Sequence, residues 1–509
     1  MKLKKLISTL GLLALLSLPF YQAGYAQSLQ DFEEKVTEFT LDNGLTFIVV
    51  ERPVAPVVSF VTYVNVGGVN EKAEHLGVAH IFEHMAFKGT EYIGTTNWQK
   101  EKKVLKKLDK TYQKWLAEKN SAHPDSAKID QLWSNFKKLQ EEAVQYVETD
   151  EFSQIVSRNG GTGMNATTSS DYTMYFYSLP ENRKELWFSL ESARFKTPVF
   201  RRFYKEKNAV HEERRMRSES SPVGRLVEKF LTVAYPDHPY GRPVVGWHST
   251  ITATTIADAK AFFNTYYVPN NMTMAIAGDI TAERAKELAK TYFGDIPTAP
   301  APPPVNAEKP DQQEERRFAI HDQSQPFLLM GYHTVNAQHP DAKALELLGS
   351  VLASGRTSML YKTLVDEKKI ALGFQLLNGF PGDKYQSLFG LLGVPNRGVS
   401  VDSLETAIYE VIGKIKKGDI PQQALDRART KARAGLIRGL DSNMGLARAF
   451  ATAEAQTGDW RTIFTDLEEL EKVTVDDLQR VANKYFTKSN RTVGVIINKA
   501  AGEVTDASK

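Results

Sequence analysis

The sequence predicts an α+β fold of two related α/β-sandwich domains, in which largely antiparallel sheets are flanked by helices. Three observations support this class. β-Branched and aromatic runs at 57–66 and 327–335 predict strands in both halves. Helical stretches such as 342–353 and 404–417 follow, without the regular alternation of a parallel βαβ sheet. A proline-rich segment at 296–315 separates the halves as an extended spacer.

The first 26 residues form a separate element, which the sequence predicts to be a secretory signal peptide. A basic start is followed by an apolar run at 6–20 and by small residues at 24–26. A membrane anchor is the alternative, but a spanning helix needs about 20 apolar residues, so we favour cleavage after Ala26. No later segment is apolar enough for a stable membrane span, and we expect a periplasmic or secreted protein.

Charge and cysteine content narrow the possible partners and metal ligands. The chain has 64 basic and 61 acidic residues, and removal of the three lysines of the signal leaves equal numbers. A balanced chain gives no reason to expect a nucleic acid partner. Because the chain contains no cysteine, any metal must be held by histidines and carboxylates.

After the signal, we predict an N-terminal domain at 27–295, the linker at 296–315 and a related C-terminal domain at 316–509. The two halves end in the same local pattern of a capped helix followed by an apolar strand. Chance similarity is the alternative, but six identities at a constant offset of 219 favour duplication. The first-half members of these pairs are Thr255, Asp258, Asn264, Tyr266, Asn271 and Thr273.

One region of the first half has no counterpart in the second. The stretch at 97–147 is rich in Lys, Glu, Leu and Trp and is broken at 121–125, which predicts a helical hairpin insertion. Its lysine-rich part at 100–119 is either a docking surface or an ordinary solvated helix face, and the second reading is the more common.

The segment from His80 to His84 has the composition of a metal site. On a helix, His80 and His84 lie on one face, and Glu83 projects from the same side. Two imidazoles in this relation can bind one Zn²⁺, and the carboxylate can take a proton from a water that the metal activates. A pair of ordinary surface or core histidines is the alternative, which the rarity of the motif disfavours.

The segment at 77–90, GVAHIFEHMAFKGT, closely resembles the active-site helix of the pitrilysin/insulinase family, whose zinc motif is inverted relative to His-Glu-x-x-His. The resemblance extends to 41–45, 165–175 and 267–271. It implies a zinc metalloendopeptidase with one Zn²⁺ per chain and Glu83 as its catalytic base. It also implies unfolded peptide substrates, a chamber between domains, and pairing of two-domain chains.

The same resemblance implies the third metal ligand. The family places it in a Glu-x₆-Glu helix, which here matches the segment from Glu206 to Glu213. Glu213 would bind the metal, and Glu206 would hold a ligand in place. His211 and Glu212 are rivals. His211 lies on a different helix face from Glu206, so we favour Glu213.

Asn165 and Ala166 begin a stretch that resembles the edge strand beside the zinc in this family. There the substrate peptide adds as an extra strand through main-chain hydrogen bonds. The implied role of Asn165 and Ala166 is substrate binding. A structural Asn at the start of a strand is the alternative.

The second half departs from the family pattern. Many relatives carry an Arg and a Tyr that stabilise the reacting carbonyl, whereas Met359 and Leu372 occupy these positions here and cannot donate hydrogen bonds. We therefore expect a homodimer, or a heterodimer with a related subunit that supplies the Arg/Tyr pair, unless Arg356 serves instead.

The rival functions are a non-catalytic binding or assembly subunit and a metal-dependent amidase acting on cell-wall peptides. The metal-ligand positions of the first half fall in the second half on Glu346, Gly349 and Ser350.

Overall fold

In the computed structural model, which describes residues 34–308 and 312–498, the first half is built around a six-stranded sheet. The strand order is β1-β2-β6-β3-β5-β4, and every neighbouring pair is antiparallel except β2 and β6. β3 and β6 are buried on both faces, which explains their nearly continuous apolar sequence. The strands are β1 Val36–Thr40, β2 Thr46–Glu51, β3 Val57–Val64, β4 Thr162–Thr168, β5 Thr173–Pro180 and β6 Met272–Gly278.

Helices of the first half cover one face of this sheet and form the larger of its two hydrophobic layers. They are α1 Val78–Met85, α2 Trp98–Lys119, α3 Ser126–Val144, α4 Glu151–Arg158, α5 Lys184–Lys196, α6 Phe203–Arg214, α7 Pro222–Ala234, α8 His248–Ala253, α9 Ile256–Tyr266 and α10 Ala282–Phe293.

The second half repeats the architecture with a five-stranded sheet of order β7-β11-β8-β10-β9, in which only β7 and β11 run parallel. Its strands are β7 Arg316–Asp322, β8 Phe327–His333, β9 Ala371–Phe380, β10 Leu388–Pro395 and β11 Arg491–Asn498. Its helices are α11 Ala342–Ala353, α12 Val401–Lys416, α13 Gln422–Leu440, α14 Asn443–Thr457, α15 Thr462–Lys472 and α16 Val475–Tyr485.

The two sheets have the same topology, which confirms that the halves are related. Leaving β1 aside, each sheet begins with one parallel pair, β2–β6 or β7–β11, and continues with three antiparallel strands in the matching orders β3-β5-β4 and β8-β10-β9. The repeated residues also make the same bonds. Thr255 and Thr474 each cap a helix reciprocally with an Asp three residues later. Asn271 and Asn490 each donate at 2.8 Å to the carbonyl of the tyrosine five residues earlier.

The predicted hairpin is present as the packed pair α2 and α3. Asn97 caps α2 and Asp125 caps α3, each through its side-chain oxygen. Tyr112 and Phe136 join the hairpin to the first-half core through ring contacts with Tyr204 of α6.

One helix of each half packs on the sheet of the other half. The second face of the first sheet is covered by α14, where Leu446 and Phe450 are fully buried. Reciprocally, α7 packs on the second sheet, with Phe230 directly over Gly331. Each sheet is therefore enclosed on both faces only when the other half is present. The described segments contain no helix that is long and apolar enough to cross a membrane.

Candidate metal centre

The start of α1 is fixed by a buried carboxylate. Glu71, 4% exposed, accepts hydrogen bonds from the backbone N–H of Gly77 at 2.8 Å and of Ala79 at 2.7 Å. These are N–H groups that the first turn of a helix leaves unpaired, and the helix dipole favours an acidic group there. Gly77 has φ of 94°, and a Cβ there would lie 2.6 Å from the Val245 carbonyl oxygen, so only glycine fits. Glu71 thus sets the direction in which His80 and His84 project.

Two imidazoles and a carboxylate converge between α1 and α6. The Nε2 atoms of His80 and His84 each lie 3.5 Å from Oε2 of Glu213. Tetrahedral Zn²⁺ with bonds of about 2.0–2.1 Å requires neighbouring ligand atoms roughly 3.3 Å apart, so these separations suit the ion. Among the described residues, this is the one group of three or more His, Asp or Glu side chains close enough to hold a metal. Three protein ligands leave a position for water, as catalytic zinc sites require.

The environments of the two histidines differ. Burial lowers the pKa of His80 to about 4, so its imidazole is neutral at pH 7 and keeps a free lone pair for a cation. The pKa of His84 is raised, chiefly by its hydrogen bond with Glu206. The His84 Nδ1 atom lies 3.6 Å from Glu206 Oε2. Glu206 therefore faces the nitrogen of His84 that is turned away from Glu213.

Lys88 supports this arrangement from the loop after α1. Its Nζ atom lies 2.9 Å from Oε1 of Glu206, whose other oxygen faces His84. Burial alone would raise the pKa of Glu206, but the hydrogen bonds from His84 and Lys88 lower it. Glu206 therefore remains an acceptor that can orient the imidazole. Lys88 was not predicted from the sequence, although it follows His84 by four residues, about one helical turn.

Arg217 is a second residue that the sequence analysis missed. It lies in a π-helical turn at Arg215–Glu219 that continues α6, and its guanidinium is 2.7 Å from Oε1 of Glu213. Oε2 of Glu213 is thereby left facing the two imidazoles. The i, i+4 spacing of Glu213 and Arg217 was the available signal.

Glu83 stands beside the cluster without belonging to it. Its carboxyl group is half-buried next to Thr168, at the end of β4. Burial raises the pKa of Glu83, and the Thr168 hydroxyl and the neighbouring His84 oppose that rise. A carboxyl group with a raised pKa can both accept and return a proton near neutral pH.

The two rival ligands point elsewhere. The His211 ring packs against the His248 ring at an interplanar angle of 46°, with centroids 4.4 Å apart, and its Nε2 atom is 3.4 Å from the Thr252 hydroxyl. Glu212 forms an exposed ion pair with Arg215. Neither belongs to the cluster that could hold a metal.

A buried ion pair ties the hairpin to both helices of the cluster. Arg201, 1% exposed, precedes α6 and binds Glu101 of α2 through two hydrogen bonds of 2.7 and 2.9 Å. The same guanidinium donates to the carbonyls of Lys88, Thr90 and Ile93, in the loop that follows α1. The insertion therefore fixes the loop after α1 and the start of α6 relative to each other.

Asn165 and Ala166 lie on β4, the edge strand of the first sheet next to α1. Asn165 is exposed, whereas Ala166 is 8% exposed. Both line a cavity of about 1760 Å³ between the halves, whose opposite wall comes from α11, α13, α14 and α15. Small-molecule pockets occupy roughly 300–1,000 Å³, so this cavity is large enough for a peptide.

The second half offers no comparable cluster among its described residues. Helix α11 follows β8 as α1 follows β3, but it carries Glu346, Gly349 and Ser350 at the corresponding positions. Met359 packs against the core of the second half, and Leu372 on the edge strand β9 is 57% exposed. Neither side chain can donate a hydrogen bond.

Two family models match the chain. The model described as insulinase (peptidase family M16) matches residues 46–113, which contain α1, and the model described as peptidase M16 inactive domain matches residues 253–432. The zinc protease PqqE of Helicobacter pylori is 29% identical over 501 residues, covering 96% of this chain and 98% of that protein. The β subunit of the mitochondrial processing peptidase of Saccharomyces cerevisiae is 22% identical, covering 90% of this chain and 89% of the subunit.

Solved structures of proteases have a fold similar to that of this chain. The crystal structure of a protease from Helicobacter pylori matches with a TM-score of 0.76 and 27% identity, covering 91% of this chain and 99% of that one. The periplasmic protease PqqL of Escherichia coli shares the fold at a TM-score of 0.66 and 18% identity, and this chain spans 49% of its length. The chain belongs to the pitrilysin/insulinase family, of which the Helicobacter pylori relative is named a zinc protease.

Proposed function

We propose that this chain is an exported zinc metalloendopeptidase that hydrolyses peptide bonds of unfolded peptides. One observation carries the proposal: the free carboxyl group of Glu83 lies beside His80, His84 and Glu213, whose spacing suits one zinc ion. In this proposal those three residues hold the ion. When bound, zinc supplies a Lewis acid that lowers the pKa of water and polarises the scissile carbonyl.

Residues of the chain transfer the proton, orient the metal ligands and bind the substrate. Glu83 accepts a proton from the attacking water and returns it to the leaving amine. Glu206 and Arg217 keep His84 and Glu213 in their orientations. Asn165 and Ala166 belong to the strand edge to which the substrate backbone adds, inside the cavity between the halves. An extended chain can add to a strand edge, whereas a folded protein offers no free backbone.

Replacement of Glu83 tests this assignment. We expect Glu83→Gln to keep zinc, because Gln has the same shape and Glu83 is not one of the proposed ligands. We expect it to lose hydrolysis of a quenched fluorescent peptide by a factor of at least about 100, the usual contribution of general base catalysis. Zinc content is measured by elemental analysis of the same sample. Hydrolysis at the wild-type rate would remove Glu83 from the mechanism.

Export and pairing are further parts of the proposal. The signal-like segment at 1–26 supports a periplasmic or secreted location, as does the fold shared with a periplasmic protease. The apolar residues Met359 and Leu372 support pairing with a second subunit, either another copy or a related chain that supplies an Arg/Tyr pair. Light scattering gives the size of the native particle, and full turnover by an isolated monomer would end this part of the proposal.

The second candidate is a non-catalytic binding or assembly subunit. Its support is the absence of hydrogen-bond donors at Met359 and Leu372, since losing one donor to the reacting carbonyl typically slows catalysis about 100-fold or more. A quenched-peptide assay with and without a chelator separates the candidates. Chelator-sensitive turnover identifies the peptidase. Metal binding without turnover, alone and with candidate partner subunits, identifies the binding subunit.

A further inference from the structure

Helix α2 presents a solvent face made almost entirely of lysine. We call the side chains of Lys100, Lys102, Lys103, Lys106, Lys107, Lys110 and Lys114 the lysine face, and all of them are exposed. They lie opposite the buried side of α2, which is formed by Val104, Leu105, Leu108, Tyr112 and Trp115. At 1.5 Å per residue, the lysine face is about 21 Å long.

The acidic residues of α2 do not neutralise this face. Glu101 is buried against Arg201, and Asp109 accepts hydrogen bonds from the Tyr204 hydroxyl and the Ile256 N–H. Glu118 pairs with Lys128 of α3. Across residues 34–308 and 312–498, no carboxylate makes an ion pair with any ammonium group of the lysine face. The positive charges are therefore concentrated on one surface of a chain whose total charge is only +3.

The chemistry of the lysine face favours an extended anionic surface over a small ligand or a folded acidic partner. Lysine is a flexible point charge, whereas arginine supplies the fixed fork used for bidentate recognition of single phosphates or carboxylates, and this face has no arginine. It also lies outside the cavity between the halves. The apolar side of α2 is committed to the core, so the helix can lie on a charged surface without inserting.

Two exposed apolar side chains lie at one end of the hairpin. Tyr92 is 86% exposed and Val144 is 58% exposed. The loop that carries Tyr92 and the end of α3 are joined by the bridge between Thr95 and Val147. Tyrosine is enriched where protein meets the headgroup region of a bilayer, and both residues lie at the end of the hairpin where α2 begins.

We propose that the lysine face is a docking surface for a membrane that carries anionic phospholipid. Bound in this way, the hairpin would hold the half containing α1 at the bilayer surface. The Arg201–Glu101 pair would transmit that anchorage to the loop after α1 and the start of α6. This inference does not depend on the proposed peptidase activity, since the lysine face shares no residue with the candidate metal centre.

Vesicle flotation tests the proposal with the full chain. We expect the protein to float with vesicles of phosphatidylglycerol and phosphatidylcholine but not with phosphatidylcholine alone. Binding should weaken as salt rises, since the Debye length falls to about 10 Å at 0.1 M. A fourfold variant with Lys103, Lys107, Lys110 and Lys114 changed to Gln should bind several hundredfold more weakly, at roughly fivefold per lysine.

The matched control removes the same number of charges elsewhere on the molecule, by exchange to Gln of four exposed lysines that make no ion pair with a described carboxylate. These are Lys260, Lys290, Lys362 and Lys414. The control should float like the wild type, and both variants should unfold at the wild-type temperature. Equal loss in both variants would overturn the proposal, as would failure of the wild type to float at low salt. Binding to polyglutamate or RNA through the lysine face without flotation would also overturn it.

Discussion

Arg217 places a positive charge next to Glu213, which faces both imidazoles, and Lys88 places one next to Glu206, which faces His84. Arg217 acts on Glu213 from the π-helical turn, and Lys88 acts on Glu206 from the loop after α1. In each carboxylate, one oxygen faces the positive charge and the other faces an imidazole. These contacts therefore fix which oxygen of each carboxylate points into the site before any metal arrives.

The role of Arg217 can be measured through metal affinity. We expect Arg217→Gln to weaken zinc binding by about tenfold, the lower end of the range for such supporting contacts, because the side chain is 73% exposed. Competition with a chromophoric chelator gives the affinity. Arg215→Gln is the control, since Arg215 pairs with Glu212 outside the cluster. An equal effect of both exchanges would mean that only net charge matters.

At the residue scale, the sequence could indicate His80, Glu83 and His84 because helical spacing alone places them on one side of a helix. It could not indicate Arg201 with Glu101. These residues are 100 positions apart and meet only through the packing of α2 against the start of α6. Glu71 was likewise missed, because its partners are backbone N–H groups, which the sequence does not distinguish from any others.

At the scale of elements, Lys207 joins three segments. From α6, its ammonium group donates to the Tyr112 hydroxyl of the hairpin and to the carbonyls of Thr252 and Thr254, at the end of α8. Burial lowers the pKa of Lys207 to about 7, and the nearby acids Asp258 and Asp109 oppose the fall only in part. The helix that carries Glu213 is thus attached to the hairpin by a lysine that titrates near neutral pH.

Stability should therefore depend on pH through Lys207. Between about pH 7 and pH 10.5 the unfolded chain holds this proton and the folded chain does not, so the free energy of unfolding rises with pH. The slope from this one group is at most about 1.4 kcal/mol per pH unit. Urea unfolding across this range measures it. Lys207→Met should remove the contribution, and an unchanged slope in that variant would contradict the assignment.

The strands and helices were easier to predict from sequence than their arrangement. Periodicity indicated β3, β8, α11 and the hairpin, because each buries an apolar face whose spacing is visible locally. It gave no sign that α7 and α14 pack on the sheets of the opposite halves. The spacing of apolar residues in an amphipathic helix indicates that one face is buried, but it does not indicate which sheet covers that face.

At the scale of the whole molecule, the exchanged helices make each half part of the core of the other. Leu446 and Phe450 of α14 are fully buried on the first sheet, and Leu226 and Phe230 of α7 are buried on the second. Polar contacts join the halves as well. Asp171, following β4, accepts from the Tyr240 hydroxyl and from the backbone N–H of Asp383.

Truncation of Phe450 measures this coupling. We expect Phe450→Ala to lower the free energy of unfolding by about 3–5 kcal/mol, the range for large buried aromatic side chains. Phe230→Ala should cost a similar amount on the other sheet. Ile437→Ala, at a position 49% exposed, should cost less than about 1 kcal/mol and serves as the control. Chemical denaturation gives all three, and a loss at Phe450 as small as at Ile437 would mean that α14 is not part of the core.

The exchange of α7 and α14 also limits how a substrate can reach the space between the halves. Swinging the halves apart about the proline-rich segment would pull a helix from each sheet and expose two hydrophobic faces at once. A bound peptide would not bury an apolar area large enough to compensate for the exposure of these two faces. If the chain acts as the proposed peptidase, we therefore expect a substrate to enter the cavity without separation of the halves, so that the existing opening limits the size of the chains that reach it.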